Sequence, residues 1–412
     1  MPSDRLLEKF ADVVVQIGLD IQQGDRLIIE MVGSPTMTFF ARLLADSAYS
    51  AGAENVDVVW LDDYLLKSRF AHGGDAAVEA VTGHSKLLKN AADVGDSRVV
   101  LFAPNPGLLA GVNPEKVSRF NRVNNEYKAS YTDKAMSHSL HWCIVGVPTP
   151  EWAKAVFPEL AADEAVEKLW EAVLRVCRIT EDDPVGAWGE HIRQLEAKAA
   201  LLTRRQFDAL RYEAPGTDLT LGLPENHVWN GSEARSPHGR TFNPNIPTEE
   251  IFTAPHRLRG DGVVTSTKPL ILNQVLVDEF VLEVENGRVV NASATSGQEV
   301  LDQVLQQDDG ASHFGEVALV PQSSLVASEN LKWQHPLFDE NDASHIALGR
   351  AFPISISDAR DKTQEQLIDA GLNTSSVHED FVVGSRQLNV HGVHKDGSET
   401  PLLRDSEWAI DP

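Results

Sequence analysis

The first half of the chain alternates short apolar runs with longer amphipathic stretches. The runs GDRLIIEMV, NVDVVWLDD, SRVVLFAPN and HWCIVGVPTP are rich in Val, Ile and Leu, as buried strands are. Between the first two, PTMTFFARLLADSAYSAG has the spacing of a helix that ends at Gly52. Strands that alternate with helices are typical of a sheet with helices on its faces. The first half is therefore predicted to form an α/β domain with an open sheet.

The second half has a different pattern, in which strand-like runs follow one another across tight turns. Examples are TDLTLGL, VVTSTKPLIL, FVLEVENGRVVNASA and LNVHGVHKDGSETPLL. The dipeptides Asn286-Gly287 and Asp396-Gly397 favour β-hairpin turns, while QEVLDQVLQQ has helical spacing. This half is predicted to be a mixed α+β domain with largely antiparallel strands.

Two long helical patterns separate the halves. They are EAVEKLWEAVLRVCRI and GEHIRQLEAKAALLTRRQFDAL, with the polar stretch EDDPVGAW between them. We place the domain boundary in that stretch, so that residues 1–185 form the first domain and residues 186–412 the second. A chain of 412 residues is too long for one ordinary hydrophobic core, which also favours two domains.

The formal net charge of −25 restricts the partners of the protein. Nucleic acids and anionic membranes attract basic surfaces, so we expect neither as a partner. The N-terminal sequence lacks the basic-then-apolar order of a secretory signal, and no apolar run is long enough to span a bilayer. Cys143 and Cys177 lie in a predicted strand and a predicted helix, so they are expected to be buried thiols. We therefore expect a soluble, cytoplasmic protein.

Several polar side chains stand beside residues that favour burial. They are Glu249 and Glu250 in PTEEIFTAPH, Glu316 in GEVALVP, His345 in FDENDASHIALG, and His378 and Asp380 in SVHEDFVVG. Because burying an unpaired charge is costly, a compensating cation is expected. His378 and Asp380 are two residues apart in a predicted strand, so they share one face, as chelation requires. Histidine and carboxylate ligands suit zinc, cobalt or manganese.

Each of these residues also has a structural interpretation. Glu316 would pair with a lysine or arginine at a strand end, and His345 would be a hydrogen-bonded core histidine. Glu249 and Glu250 would form the first turn of a helix. The remaining histidines are expected at the surface or in turns, among them His256, His313, His335, His391 and His394. Spacing alone does not join the four segments in space.

The same segments resemble the motifs of a known family. N-P-x-x-P-T-E-E-I-F-T-A-P-H, G-E-V-A-L-V-P, F-D-E-N-x-x-S-H-I-A-L-G and H-x-D-F-V-V-G-S are similar, in order and separation, to motifs of the M29 metallo-aminopeptidases of the aminopeptidase T and aminopeptidase S type. In the first half, GDRLIIE and VPTPEWAKAVFP resemble the N-terminal domain of that family. The resemblance therefore extends over nearly the whole chain.

The resemblance implies an N-terminal α/β domain, a catalytic domain that binds two divalent metal ions per chain, and a homodimer. By matching position, its metal ligands are Glu250, Glu316, His345, His378 and Asp380. The implied activity is removal of N-terminal residues from peptides with a free N-terminus, by a water that two metals activate. Glu316 and Glu249 are the expected catalytic residues, with Glu249 as a candidate to move a proton to the leaving amine. The structural alternative for Glu249 is a salt-bridged neighbour of a ligand.

The charges of the implied ligands separately favour two ions over one. Three carboxylates around one divalent ion leave a net charge of −1, whereas around two ions they leave +1, which one hydroxide neutralises. Five protein ligands also exceed a tetrahedral site with an open position, but they suffice for two ions if a carboxylate bridges them.

One position departs from the family pattern. Phe352 stands where a tyrosine is common after H-I-A-L-G, and loss of one donor to a developing oxyanion can reduce the rate by about 10²–10³. Two other functions therefore stay open: a mononuclear non-haem iron dioxygenase that cleaves aromatic rings, and a non-catalytic metal-binding dimer. The presence of Glu250 and Glu316 disfavours the dioxygenase, and Phe352 is the feature that favours the non-catalytic protein.

Overall fold

The computed structural model describes residues 2–109, 111–272, 275–359 and 362–411. It divides into two compact units. The first unit comprises Met1–Ile192, Ser232–Thr248 and Glu329–Phe338. The second unit comprises Arg193–Gly231, Glu249–Ser328 and Asp339–Pro412. The division into functional domains between residues 185 and 186 stays a prediction.

The first unit contains a five-stranded sheet in which all neighbouring strands run parallel. In spatial order its strands are Asn55–Leu61, Arg26–Val32, Ser97–Phe102, Trp142–Gly146 and Asn245–Ile246. Inner strands of a parallel sheet are covered on both faces, and Ile29, Val99 and Val145 are accordingly fully buried. The prediction of an α/β first domain with an open sheet is confirmed.

Helices precede, connect and follow the first four of these strands along the chain. They are Asp4–Val13, Thr38–Ser50, Asp63–His72, Asp75–Val78, Gly83–Val94, Pro114–Tyr127, Ala129–Met136, Pro150–Val156, Ala162–Val176 and Pro184–Arg205. Local sequence fixes several of their starts, because the side chains of Asp62, Thr82 and Thr149 each accept a hydrogen bond from the backbone N–H three residues later.

The second unit contains two main antiparallel sheets, which we call the large sheet and the small sheet, and a two-stranded antiparallel ribbon of Leu270–Leu272 and Val275–Val277. In spatial order the large sheet consists of Arg288–Ser293, Val281–Glu285, Gly260–Thr265, Thr217–Gly222, Ala209–Ala214, Asn389–Val393, Glu399–Arg404 and Glu407–Trp408. The small sheet consists of Ile251–Thr253, Phe314–Leu319, His345–Gly349 and His378–Val382. Helices in this part of the chain are Gln298–Leu305, Leu325–Ser328, Pro336–Asp342 and Gln364–Asp369. The prediction of a mixed α+β second domain with largely antiparallel strands is confirmed.

The small sheet has one apolar face. Val317, Leu319, Ile346, Leu348 and Phe381 are buried in the main hydrophobic core of the second unit. Because side chains alternate along a strand, the neighbours of these residues lie on the opposite face, which we call the polar face.

Gly315 permits close backbone packing within the small sheet. A Cβ atom at this position would lie 2.3 Å from the carbonyl oxygen of Arg350, so any other residue would force the backbone apart. The register shifts at this point, between Phe314 and Glu316.

Three local predictions are wrong. Glu249 and Glu250 do not begin a helix, since they lead into the strand Ile251–Thr253, whose β-branched and aromatic residues favour extended backbone. The second long helix begins at Pro184, earlier than its pattern indicates, because proline is favoured at the first helical position. His313 and His335 are buried, and one ring nitrogen of each donates a hydrogen bond to a backbone carbonyl.

Two other sequence expectations can be compared with the structure. Cys143 and Cys177 are both buried thiols, as predicted. Within the described ranges, none of the helices has the length and apolar character needed to cross a membrane.

Candidate metal centre

The register of the small sheet places four of the predicted ligands on its polar face. Glu316 pairs with Ala347, which in turn pairs with Asp380 on the next strand. Residues paired across an antiparallel sheet share a face. His345 lies two residues before Ala347, and His378 lies two residues before Asp380, so both imidazoles belong to the same face.

Glu250 reaches the polar face from the edge strand. Phe252 pairs with Ala318, which lies two residues after Glu316 and therefore on the same face. Glu250 precedes Phe252 by two residues along an extended segment. The four segments that sequence could not join are the four neighbouring strands of one sheet.

The five side chains form a compact group, which we call the ligand cluster. The Nε2 atom of His345 lies 3.0 Å from Glu250 Oε2, 3.6 Å from Glu316 Oε1 and 3.9 Å from Asp380 Oδ1. The Nε2 atom of His378 lies 3.9 Å from Glu316 Oε2 and 3.5 Å from Asp380 Oδ2. In the part of the chain that the structure describes, Glu316 lies within ion-pair distance of His345 and His378. Its interpretation as the partner of a lysine or arginine is therefore not supported.

Backbone carbonyls orient both imidazoles. His378 Nδ1 donates to the carbonyl oxygen of Arg350 at 2.7 Å, and His345 Nδ1 donates to that of Ala343 at 3.3 Å. A carbonyl only accepts, so in the neutral ring Nδ1 carries the proton and Nε2 has a lone pair. Both lone pairs face the carboxylates, which is how metal-binding histidines are usually held.

The cluster opens to solvent at one end. The side chain of His345 is 1% exposed and that of Glu316 is 7% exposed. By contrast, those of His378 and Asp380 are 25% and 23% exposed. A ligand from solvent would therefore approach on the side of His378 and Asp380.

The electrostatics of the cluster show an excess of buried negative charge. Burial raises the pKa of Glu316 to about 7, and the charges of Asp380 and Glu250 add to the rise, although the hydrogen bond with His345 opposes it. Burial disfavours the charged form of His345, but its hydrogen bonds to Glu250 and Glu316 outweigh this and raise its pKa well above the usual value. The arrangement therefore stabilises bound positive charge.

The donor set fits divalent cations. It combines two imidazole nitrogens with carboxylate oxygens, a mixture that suits zinc, cobalt or manganese. In the part of the chain that the structure describes, the buried Oδ1 of Asp380 accepts no hydrogen bond. A buried acceptor without a donor is costly, and a cation in the cluster would satisfy it.

Sequence analysis missed Glu340. Burial and the charges of Glu250 and Asp380 raise the pKa of this carboxyl group well above its usual value, so it lies within electrostatic range of the cluster. A signal was present, because Glu340 stands in FDENDASHIALG, the segment that contains His345.

Asn341 was also missed. It is fully buried, and its Oδ1 accepts the backbone N–H of Glu249 at 2.7 Å. Its Nδ2 lies 3.4 Å from Glu340 Oε1. One amide side chain thus fixes the backbone beside Glu250 and contacts a further carboxylate near the cluster.

Two further sequence-predicted residues lie near the cluster. Glu249 is 5% exposed and directly precedes Glu250. The ring of Phe352 lies 5.3 Å from that of His378 at an interplanar angle of 82°, so the position at which the chain departs from the family pattern adjoins the cluster.

Comparisons with known proteins agree with this geometry. The model of the family described as thermophilic metalloprotease (M29) matches residues 3–408. The chain belongs to this family. It is 40% identical to Aminopeptidase 2 of Geobacillus stearothermophilus over 99% of this chain and 98% of that protein. It is 39% identical to Aminopeptidase PepS of Streptococcus thermophilus over 98% of both chains.

A solved structure supports the fold. Wild-type AmpT from Thermus thermophilus superimposes with a TM-score of 0.90 at 37% identity, over 98% of this chain and 99% of that chain. Membership of the M29 family confirms the prediction of a metallopeptidase that uses divalent metal. Family membership also disfavours the interpretation of the protein as a ring-cleaving dioxygenase.

Because the carboxylates of the cluster repel one another, the residues that bind metal are expected to destabilise the metal-free protein. Glu316→Gln removes one buried negative charge and keeps the shape of the side chain. Without metal, this variant should melt higher than the wild type, by about 2–4 °C for each kcal/mol of repulsion relieved. Zinc or cobalt should raise its melting temperature less than that of the wild type, because bound metal stabilises in proportion to affinity. Calorimetry with and without metal measures both effects.

Glu399→Gln is the matched control, because Glu399 Oε2 also lies beside an imidazole nitrogen, 3.3 Å from His391 Nδ1, but on the large sheet. It should not change the stabilisation by metal. A lower melting temperature of metal-free Glu316→Gln, with metal stabilisation unchanged, would contradict this account of the cluster.

Proposed function

We propose that this protein is an aminopeptidase that removes N-terminal residues from peptides by means of two divalent metal ions. The observation that carries the proposal is the convergence of two imidazoles and three carboxylates on the polar face of the small sheet. The M29 family and relatives named aminopeptidase that match nearly the whole chain support this class of enzyme.

In this proposal Glu250, Glu316, His345, His378 and Asp380 hold two ions of zinc, cobalt or manganese. Divalent ions bound there would lower the pKa of a water molecule and polarise the peptide carbonyl. Five side chains exceed a tetrahedral site with an open position, which favours two ions over one.

Two carboxylates are placed to contact both ions. Asp380 Oδ1 lies 3.9 Å from His345 Nε2, and Asp380 Oδ2 lies 3.5 Å from His378 Nε2. Glu316 has the same relation to the two imidazoles. Its Oε1 faces His345 Nε2 at 3.6 Å, while its Oε2 faces His378 Nε2 at 3.9 Å. The two carboxylate oxygens of Glu316 thus face different imidazoles. We propose Glu340 as a further carboxylate that balances the charge of the ions, since it is buried where the charges of Glu250 and Asp380 raise its pKa.

The remaining chemistry needs a group that moves a proton to the leaving amine. We propose Glu249 for this role, because it is a buried glutamate that directly precedes Glu250 in the chain and its backbone is fixed by Asn341. Phe352 adjoins His378 but has no hydroxyl group with which to donate a hydrogen bond to an oxyanion.

The proposal also covers the cellular location, the oligomeric state and the substrates of the enzyme. We propose a cytoplasmic homodimer that acts on peptides with a free N-terminus. The net charge of −25 gives it no electrostatic attraction to nucleic acid or to anionic membranes.

The test is hydrolysis of leucine p-nitroanilide by metal-stripped protein to which Co²⁺, Zn²⁺ or Mn²⁺ is added back. Activity should return with metal in the wild type. His378→Ala should reduce it by more than about 100-fold, the upper range for residues that only support a ligand. No activity with any metal, despite two bound ions per chain, would favour the non-catalytic metal-binding protein.

His391→Ala is the matched control for this experiment. His391 also lies between two carboxylates, with Nε2 3.8 Å from Glu213 and Nδ1 3.3 Å from Glu399, but on the large sheet. The control should keep wild-type activity and metal content. Equal losses in both histidine variants would show that the assay reports on folding and not on the cluster.

Neighbouring glutamates should separate metal binding from proton transfer. Glu250→Gln is expected to reduce metal content. Glu249→Gln should keep both ions but lower kcat by about 10²–10⁴, the usual contribution of a general acid or base. Metal analysis and steady-state kinetics of the two variants measure this difference. Full activity of Glu249→Gln would assign Glu249 a structural role.

A further inference from the structure

Two phenylalanines lie beside the ligand cluster, and we call Phe252 and Phe352 the aromatic pair. Phe252 belongs to the polar face of the small sheet, because it pairs with Ala318, which shares that face with Glu316. It also follows Glu250 by two residues along the extended edge segment, so the two side chains lie on the same face.

The aromatic pair connects the two sides of the cluster. The ring of Phe352 lies 5.3 Å from the imidazole of His378 in an edge-to-face arrangement at 82°. The rings of Phe252 and Phe352 lie 5.7 Å apart at 57°. A continuous aromatic wall therefore extends from the segment of Glu250 to His378.

Phe352 stands at the accessible end of the cluster, whereas Phe252 lies in the row of Ala318 and His345. His378, which Phe352 contacts, is 25% exposed, whereas His345 at the far end is 1% exposed. Both phenylalanine side chains are themselves only partly buried. Phenylalanine has no polar atom, so the exposed part of each ring gains nothing from water and favours contact with another apolar group.

The geometry points to an apolar subsite for the first side chain of the substrate. We propose that the aromatic pair contacts the side chain of the N-terminal residue and selects large apolar residues over small or acidic ones. This inference rests on the proposed aminopeptidase function, since it places the N-terminal residue at the cluster. An acidic side chain would in addition lose its hydration against the two phenylalanine rings, which is costly for a charged group.

The experiment compares substrates that differ only in the N-terminal residue. Hydrolysis of leucine, phenylalanine, alanine, arginine and glutamate p-nitroanilides is measured with metal-loaded wild type, Phe252→Ala and Phe352→Ala. The wild type should prefer leucine and phenylalanine, and each variant should reduce the leucine-to-alanine ratio of kcat/KM by about tenfold or more. The ratio cancels any equal loss of activity through altered metal content, which matters because Phe352 contacts His378.

Phe120→Ala is the matched control. Phe120 is also partly buried in an edge-to-face aromatic pair, with its ring 5.5 Å from that of Phe70 at 88°, but it belongs to the first unit. Its substitution should leave the ratio at the wild-type value.

A second measurement does not depend on turnover. Isothermal titration calorimetry of the metal-loaded protein gives the affinities for leucine and for alanine. The wild type should bind leucine more tightly than alanine, and the difference should disappear in Phe252→Ala and Phe352→Ala.

The two measurements separate this inference from the proposed function. If the wild type hydrolyses the substrates but the variants slow all of them equally, the subsite is overturned and the aminopeptidase stands. If it hydrolyses none but binds leucine more tightly through the aromatic pair, the subsite stands and the function falls. A wild-type preference for arginine or alanine, or an equal change in Phe120→Ala, would also overturn the subsite.

Discussion

The burial of several carboxylates close together is the constraint on which the rest of the site depends. Glu250, Glu316 and Asp380 approach two imidazoles on one face of the small sheet. Burial and the neighbouring carboxylates raise the pKa of Glu316, and the carboxylates raise the pKa of His345 against the effect of its burial. Such a group is unfavourable without compensating positive charge. Divalent cations would supply that charge, so the feature that destabilises the empty protein is the one that gives affinity for metal.

The small sheet can hold this unfavourable group of buried carboxylates because its two faces differ. The residues of its apolar face belong to the main hydrophobic core of the second unit, and packing in this core holds the strands in place. The register then sets the relative positions of the polar residues, and Gly315 lets the strand that carries Glu316 approach the backbone of Arg350, whose carbonyl oxygen orients His378. Site geometry is thus a consequence of strand pairing.

Much of the fold and part of the site could be predicted from sequence. Periodicity and turn dipeptides indicated both domain types, and the spacing of His378 and Asp380 indicated a shared face. Pairing between distant strands is not encoded in any local pattern, so the convergence of the four segments followed only from family resemblance. Glu340 was missed because burial near the charges of Glu250 and Asp380 arises from the tertiary structure and not from a local pattern. His335 was misplaced at the surface because burial of a histidine depends on carbonyl partners distant in sequence.

The most direct test of the central claim is anomalous diffraction from crystals grown with cobalt. The account predicts two anomalous peaks per chain on the polar face of the small sheet, about 3.5–4 Å apart as in other two-metal sites. His345 should lie near one peak and His378 near the other. A single peak, or peaks away from these residues, would contradict the two-metal site.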